Sequence, residues 1–204
     1  NLFLMDGSVT GCIKCSLSNW TGIAYKIPRT ELDNCKNRND LKQSGVYFLF
    51  GKSDQTGEDV VYIGQASARK NGEGILNRLL EHKRNPAVVF TTSNNSFGPT
   101  EISYLENRFA ALATEAHRYR VTNGNEPTSG NTTEEKESEL EEFVDYAMIV
   151  MGTLGHKVFI PISRNEISLV ADDGSVSHDS EPTLCLNTAK ANAKGKRTSD
   201  GFVV

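Results

Sequence analysis

Five side chains between residues 47 and 106 are of types that can do chemistry, and each borders a predicted buried face: Tyr47, Tyr62, Arg78, His82 and Glu106. A phenol whose pKa is lowered by a neighbouring cation can act as a general base. A carboxylate beside a buried face can be held there to bind Mg²⁺. Each residue also has a plainer explanation. Strand tyrosines usually pack in the core, and charged side chains are usually solvated, with Arg78 paired to Glu73 or Glu81.

A β-hairpin and an amphipathic helix are the first elements needed to position these side chains. Residues 45–51 and 59–65 read as two strands, and the polar segment between them predicts a hairpin loop. Apolar residues recur with helical spacing over residues 73–84, and the Asn-Pro that follows ends the predicted helix. Arg78 and His82, four residues apart, lie on one side of this helix at the edge of its apolar face. They could therefore face a cleft that the hairpin lines.

Glu106 belongs to a second predicted helix. Residues 87–91 predict a short buried strand, after which Thr100 is expected to cap a helix that runs to about residue 119. Glu106 falls beside the apolar stripe of that helix, at the border of its buried face. Further along, residues 134–154 predict a third helix and residues 155–162 a strand.

The chain on either side of these elements differs in character. Short β-rich runs separated by turns in the first 30 residues predict a β-meander, followed by one or two helical turns. We therefore predict an α+β protein: a small antiparallel three-stranded sheet packed among helices, with the meander as an N-terminal extension. The expected domains are a β-rich extension at 1–40, a main domain at 41–162, a linker at 163–188 and the start of an incomplete C-terminal domain at 189–204.

Charge is spread unevenly along the 204 residues, whose net charge is −4. That balance argues against a protein that coats nucleic acid non-specifically. Residues 69–84, however, hold five basic side chains against two acidic ones, whereas residues 134–145 hold seven acids against one lysine. A local basic site on an acidic body suits a protein that touches a few phosphates.

The cysteines and the apolar runs indicate the compartment. Four cysteines are too few and too scattered for a disulfide scaffold, and Cys12 and Cys15, although spaced C-x-x-C, lack a second pair of zinc ligands. We expect them to be partly buried thiols in a strand. No run reaches the roughly 18 apolar residues of a membrane span, and the first residues do not resemble a signal peptide. The absence of an initial Met suggests that the sequence begins inside a longer chain. A cytoplasmic protein without a membrane partner is expected.

Taken in order along the chain, these residues resemble the GIY-YIG nuclease family. The matching positions are Gly45-Val46-Tyr47, then Val61-Tyr62-Ile63-Gly64, then Arg78 and His82 in the next helix, and Glu106 in a later helix. Either tripeptide alone would be unspecific, but the ordered set is specific, and the resemblance covers about residues 45–131. The flanking segments also look like those of a bacterial subset with a small uncharacterised C-terminal domain. The family fold is a hairpin plus a third strand packed among helices.

The resemblance implies one-metal hydrolysis of DNA to 3′-hydroxyl and 5′-phosphate ends. Glu106 would hold a single Mg²⁺ or Mn²⁺ on the scissile phosphate, and Arg78 would neutralise charge on the phosphoryl oxygens. Tyr47 would act as the general base or orient the attacking water, with His82 accepting its proton. Tyr62 would complete the site from the neighbouring strand, although the choice between the two tyrosines as the base stays open.

The chain departs from the family pattern in three places. The segment between the two tyrosines is a few residues longer than usual, and Gln65 stands where some members have a lysine that would lower the pKa of a tyrosine. The supporting asparagine of the family has three candidates here, Asn123, Asn125 and Asn131, of which Asn125 is slightly favoured. Side chains expected to contact nucleic acid are Arg69, Lys70, Lys83, Arg84 and Asn125.

Two functions are therefore predicted as alternatives. The first is an active metal-dependent endonuclease, with DNA favoured over RNA as the partner and a transient dimer left open. The second is a nucleic-acid-binding module that keeps the fold without catalysis. Two features favour it: Gln65 stands where some family members have a lysine, and the overall charge is acidic.

Overall fold

The chain forms two compact units, residues 1–162 and 163–204. The computed structural model describes residues 1–68, 74–81, 85–123 and 132–162, together with the backbone of three strands in the second unit. The first unit is α+β and contains every position predicted to act on a substrate.

Seven strands and three α-helices of the first unit have the following bounds: β1 Leu2–Leu4, β2 Ile13–Ser16, β3 Gly22–Ile27, β4 Gly45–Lys52, β5 Asp59–Ala66, α1 Ile75–Glu81, β6 Ala87–Thr92, α2 Pro99–Ala116, β7 Arg120–Val121 and α3 Glu134–Thr153. Two 3-10 segments, Arg29–Cys35 and Asn39–Lys42, lie between β3 and β4. The strands and helices predicted up to residue 154 correspond to these elements.

The seven strands form one mixed sheet in the order β1-β2-β3-β6-β4-β5-β7. The sheet is larger than the three strands predicted from the sequence. The expected unit β5-β4-β6 is present and antiparallel, but it is the middle of a larger sheet. The meander β1–β3 continues it, because β3 pairs with β6 along its whole length from Gly22 to Ile27, and β7 joins β5 in parallel.

Both faces of this sheet are covered, as the buried residues of β4 require. Val46, Phe48 and Phe50 point to one face and pack in a cluster with residues of α2 and α3. Tyr47 and Leu49 point to the other and pack with α1 and the two 3-10 segments. Because side chains alternate along a strand, the register of β4 decides which residues can approach α1 and which can approach α2.

Helix α2 carries Glu106, and its start and its packing are well defined. The helix begins at Pro99 rather than at a Thr100 cap, because the Glu101 carboxylate accepts a hydrogen bond from the Gly98 amide at 3.0 Å and closes the first turn. A bidentate pair ties it to α3, with Arg108 Nε and Nη2 2.8 and 2.9 Å from the Glu141 carboxylate oxygens.

The segment after α3 differs from the prediction. Residues 155–162 were expected to form a strand and instead form turns. Gly155 ends the helix with a φ of 92°, and His156 then stacks on Phe50 with ring centroids 3.8 Å apart. The apolar residues here close the core by ring contacts rather than by strand pairing.

The second unit contains a three-stranded antiparallel sheet. Its strands are β8 Thr183–Asn187, β9 Asn192–Thr198 and β10 Gly201–Val203, in the order β10-β9-β8. Strand β8 begins within the stretch predicted as a linker. In the described part of the chain, no helix has both the length and the apolar character needed to cross a membrane.

Candidate active site at the edge of strand β5

Tyr47 and Tyr62 lie together on the face of the sheet that packs against α1. Tyr47 is directly opposite Gly64 in the β4–β5 register, so Tyr62, two residues before Gly64, projects from the same face. Their ring centroids are 6.1 Å apart, and their hydroxyl groups are hydrogen-bonded to each other. The hairpin therefore brings the two predicted tyrosines into one pair, one buried and one partly exposed.

The glycines of the two motifs are explained by close approaches around this pair. A Cβ atom at Gly64 would lie 2.6 Å from Cζ and 2.7 Å from Oη of Tyr47, so the phenol ring passes directly over Gly64. At Gly45, a Cβ atom would collide with the backbone carbonyl of Phe90 on β6 and come within 2.5 Å of Ile75 on α1. Only residues without a Cβ allow the hairpin, β6 and α1 to approach so closely.

Arg78 reaches the same region from α1. Three residues of this helix are buried against the sheet, and Arg78 projects from beside them with 47% of its side chain exposed. It lines an open cleft of about 250 Å³, together with Gln65 of β5 and the start of α1. Its Nη1 donates to Glu81 Oε2 at 2.9 Å, which is one of the pairings expected for a solvated arginine. The guanidinium is therefore on the cleft but already holds one carboxylate.

Glu106 approaches from α2, on the other side of β5. Gln65 Nε2 donates to Glu106 Oε2 at 2.8 Å, which joins the carboxylate to the strand that carries Tyr62. Burial raises the pKa of Glu106, and the hydrogen bonds from Gln65 act in the opposite direction. Sequence reasoning treated Gln65 only as a departure from a family pattern, whereas it is the residue that fixes the predicted metal ligand.

The pKa of Tyr47 depends on all three of the other side chains, Tyr62, Arg78 and Glu106. Burial and its hydrogen-bonded neighbour Tyr62 raise the pKa of Tyr47, while Arg78 acts to lower that pKa and Glu106 to raise it. Both charged side chains are therefore close enough to influence one phenol from opposite sides of β5. The net direction is upwards, so Tyr47 is a neutral phenol at pH 7, contrary to the lowered pKa that a tyrosine base needs.

Strand β5 is only partly covered on the side away from β4. Strand β7 pairs with it only at Val60 and Val61. The side chain of Asn123 extends the hydrogen bonding along β5 to Ile63, since it accepts from Ile63 N at 3.1 Å and donates to Ile63 O at 2.7 Å. Asn123 was one of three asparagines proposed to support the site, and no sequence pattern distinguished it.

The remaining predicted residues lie outside the described parts of the chain: Arg69, Lys70, His82, Lys83, Arg84, Asn125 and the alternative Asn131. Of the predicted catalytic residues, the structure thus brings together Tyr47, Tyr62, Arg78 and Glu106. The basic side chains expected to contact nucleic acid stay predictions.

A resident Mg²⁺ or Mn²⁺ can be tested against the side chains of this region. Among residues 1–68, 74–81, 85–123 and 132–162, no group of three or more His, Cys, Asp or Glu side chains could enclose a metal ion. Mg²⁺, however, often keeps several waters and binds through one or two carboxylates together with substrate phosphates. A half-buried carboxylate with a raised pKa also gains from a nearby cation, so the chemistry of Glu106 fits the single-ligand metal that the family resemblance implies.

Comparison of the chain with protein-family models, with curated proteins and with solved structures gave no match. The family resemblance of the ordered residues therefore stays a prediction. What bears on function is the chemistry of the side chains around the edge of β5.

Proposed function

We propose that this chain is a metal-dependent endonuclease of the GIY-YIG type, which hydrolyses DNA phosphodiester bonds to 3′-hydroxyl and 5′-phosphate ends. The observation that supports it most is the grouping of Tyr47, Tyr62, Arg78 and Glu106 around one edge of the sheet. These residues come from four separate segments of the sequence, and the fold brings the four side chains into one region. In the same proposal, β5-β4-β6 with α1 and α2 is the GIY-YIG fold.

Substrate binding is assigned to the cleft beside β5. A phosphate in this cleft would meet the guanidinium of Arg78, whose planar N–H groups suit phosphate oxygens better than an ammonium group does. The phosphate would compete with Glu81 for Arg78. Since that pair is exposed, it is worth little in water, and the exchange costs little.

Glu106 is proposed as the metal ligand and Gln65 as the residue that orients it. The carboxylate of Glu106 accepts hydrogen bonds from Gln65, which itself lines the cleft, so Gln65 joins the proposed ligand to the substrate site. When bound, Mg²⁺ or Mn²⁺ would polarise the scissile phosphate and stabilise the charge that develops on it. The raised pKa of Glu106 also predicts that metal binding weakens at acid pH, because the protonated carboxyl is a poor ligand.

Tyr47 is proposed to orient the attacking water rather than to deprotonate it as a phenolate. The phenol is buried, neutral and hydrogen-bonded to Tyr62, and a neutral phenol oxygen can still accept a hydrogen bond from water. The proton would then pass to His82, the imidazole predicted next to Arg78. A single site of this kind cuts one strand at a time.

A non-catalytic nucleic-acid-binding module is the second candidate. Two observations favour it: the pKa of Tyr47 is raised rather than lowered, and Gln65 occupies the position of the family lysine. In this alternative, Arg78 would bind phosphate, and Glu106 would be a structural partner of Gln65.

Cleavage of supercoiled plasmid in Mg²⁺ or Mn²⁺ separates the two functions. The purified full chain is expected to nick plasmid, with the rate falling by about 100-fold or more in Glu106→Gln and in Arg78→Ala. Glu115→Gln is the matched control, because Glu115 is an exposed glutamate of the same helix. Cleavage at the wild-type rate by Glu106→Gln would contradict the mechanism. Binding to a labelled duplex without cleavage in either metal would select the binding module.

A further inference from the structure

Cys12 and Cys35 form a buried sulfur pair on the side of the sheet that packs against α1. Their Sγ atoms are 3.3 Å apart, and the two residues are 3% and 0% exposed. Cys12 directly precedes β2, and Cys35 is the last residue of the first 3-10 segment, so 22 residues separate them. Because a disulfide has an S–S length of about 2.05 Å, the sulfurs need to move together by only about 1.2 Å.

The partner of Cys12 is therefore not the cysteine that the sequence spacing suggests. Cys15 lies three residues after Cys12 but packs in the other core cluster, with residues of α2 and α3. Cys12 and Cys35 belong together to the cluster that contains Tyr47 and α1. The C-x-x-C spacing is thus incidental, and the relevant pair joins two segments that are distant in sequence.

The two sulfurs have different acidities. The hydrogen bond with Cys12 lowers the pKa of Cys35, and Arg38 acts in the same direction against the effect of burial. The same hydrogen bond and burial raise the pKa of Cys12. Cys35 is therefore the more acidic of the two thiols and forms a thiolate more readily than Cys12, and the thiolate is the form that attacks a disulfide.

We propose that Cys12 and Cys35 are a reversible oxidation site that forms an intramolecular disulfide. In the first step, the Cys35 thiolate attacks one sulfur of a low-molecular-weight disulfide, which gives a mixed disulfide and releases one small thiolate. That thiolate takes the proton of Cys12, and the Cys12 thiolate then attacks Cys35 Sγ and releases the second small thiolate. The second small thiolate takes up from water the proton that Cys35 lost when it ionised, so two electrons pass to the oxidant, which becomes two thiols.

Access to the pair requires only local movement. Of the seven residues of the 3-10 segment Arg29–Cys35, only Leu32 and Cys35 are buried, and the segment lies at the surface. Lifting this short segment would expose both sulfurs while the strand pairs of β2 and β3 stay in place. The closed disulfide would tie the start of β2 to the segment that supports α1.

The test uses the purified full chain in buffers of oxidised and reduced glutathione, followed by alkylation of free thiols and peptide mass mapping. The expected product has lost two alkylatable thiols and contains a peptide that links Cys12 to Cys35. Reduction should reverse it. Closing a loop of this length is expected to raise the thermal midpoint by roughly 5–10 °C.

Variants make the assignment specific. A chain carrying Cys15→Ser and Cys185→Ser should oxidise as the wild type does, whereas neither Cys12→Ser nor Cys35→Ser should form an internal disulfide. Cys12→Ser should instead retain a mixed disulfide with glutathione at Cys35, because the resolving thiol is missing. A disulfide between Cys12 and Cys15, or four free thiols in the wild type at the most oxidising buffer, would overturn the proposal. Peptide mapping of the wild type decides the question even where a serine variant fails to fold.

Discussion

Tyr25 and Tyr47 occupy equivalent places in the sheet and differ in what surrounds their hydroxyl groups. Both are opposite Val89 of β6, one from β3 and one from β4, so they share a row on the same face. Both are almost fully buried, and burial raises the pKa of both phenols. By residue type, strand position and burial, the two tyrosines cannot be distinguished.

Their partners distinguish them. Tyr25 donates to Asp40 Oδ2 at 2.6 Å, and Lys14 Nζ binds the same oxygen at 2.6 Å, so a cation balances the carboxylate away from the cleft. Tyr47 instead hydrogen-bonds a second tyrosine, and the charges of Arg78 and Glu106 both act on its pKa. Of these neighbours, Arg78 lines an open cleft. A closed and balanced network indicates a structural role, whereas convergent polar groups at a cleft indicate a site.

The largest expected effect comes from removing each hydroxyl in turn. Tyr47→Phe should reduce plasmid cleavage by about 100-fold or more, because it removes the group that orients the water, and should change stability little. Tyr25→Phe should leave cleavage by folded protein unchanged and lower the free energy of unfolding by about 1.5–3 kcal/mol, since Asp40 loses a charged hydrogen bond. Urea unfolding and cleavage rates measured on both variants decide this. Equal effects of the two variants on both quantities would remove the distinction.

A methyl group at Gly64 tests whether the tyrosine pair depends on the close approach to β5. Gly64→Ala should lower the free energy of unfolding by about 1–3 kcal/mol, because the new Cβ overlaps the ring of Tyr47. Cleavage should fall as well, since the hydroxyl is displaced. Gly152→Ala is the control: it lies in α3 with no atom within 4 Å of the added Cβ, and it should stabilise by about 0.5–1 kcal/mol. Unchanged unfolding and cleavage in Gly64→Ala would show that Tyr47 does not need that space.

The parts of the fold that could be predicted from sequence are those set by local pattern. The strands at 45–51 and 59–65 correspond to β4 and β5, because alternation and turn residues are local signals. The pairing of β3 with β6 was missed, since a strand that is buried on both faces can accept several partners and only the packed chain selects one. The roles of Gln65 and Asn123 were missed for a similar reason: each depends on one contact between segments more than 40 residues apart.

A substitution at Gln65, near Tyr47, should have a smaller effect on cleavage and a selective effect on the metal requirement. Gln65→Ala should slow cleavage about tenfold and raise the Mg²⁺ concentration needed for half-maximal rate, because Glu106 loses the donor that orients it. Gln43→Ala is the control. The amide oxygen of Gln43 accepts a hydrogen bond from Thr91, which is not a residue of the proposed site. A metal titration of both variants is the measurement. A lower maximal rate at an unchanged metal requirement would assign Gln65 to another role.

The smallest effect, and the most direct contrast between the two regions, is the sign of the pH dependence at their carboxylates. Burial acts to raise the pKa of Asp40, but hydrogen bonds from Lys14 and Tyr25 lower it overall. Asp40 therefore contributes stability above the unfolded pKa of about 3.9, and this is lost as pH falls through the folded pKa. Burial raises the pKa of Glu106, so its contribution is full below about 4.3 and is lost as pH rises through the folded value.

Thermal unfolding of Asp40→Asn and Glu106→Gln between pH 3 and pH 7 should therefore give opposite trends against the wild type. Asp40→Asn should be less stable than the wild type at pH 7, and the difference should shrink towards pH 3. Glu106→Gln should match the wild type near pH 3 and become the more stable protein at pH 7, because an amide accepts from Gln65 without carrying a half-buried charge. A carboxylate that is kept at a cost to stability is what a functional site requires. If Glu106→Gln is instead less stable than the wild type at pH 7, Glu106 has the same structural role as Asp40. That result would favour the non-catalytic binding module.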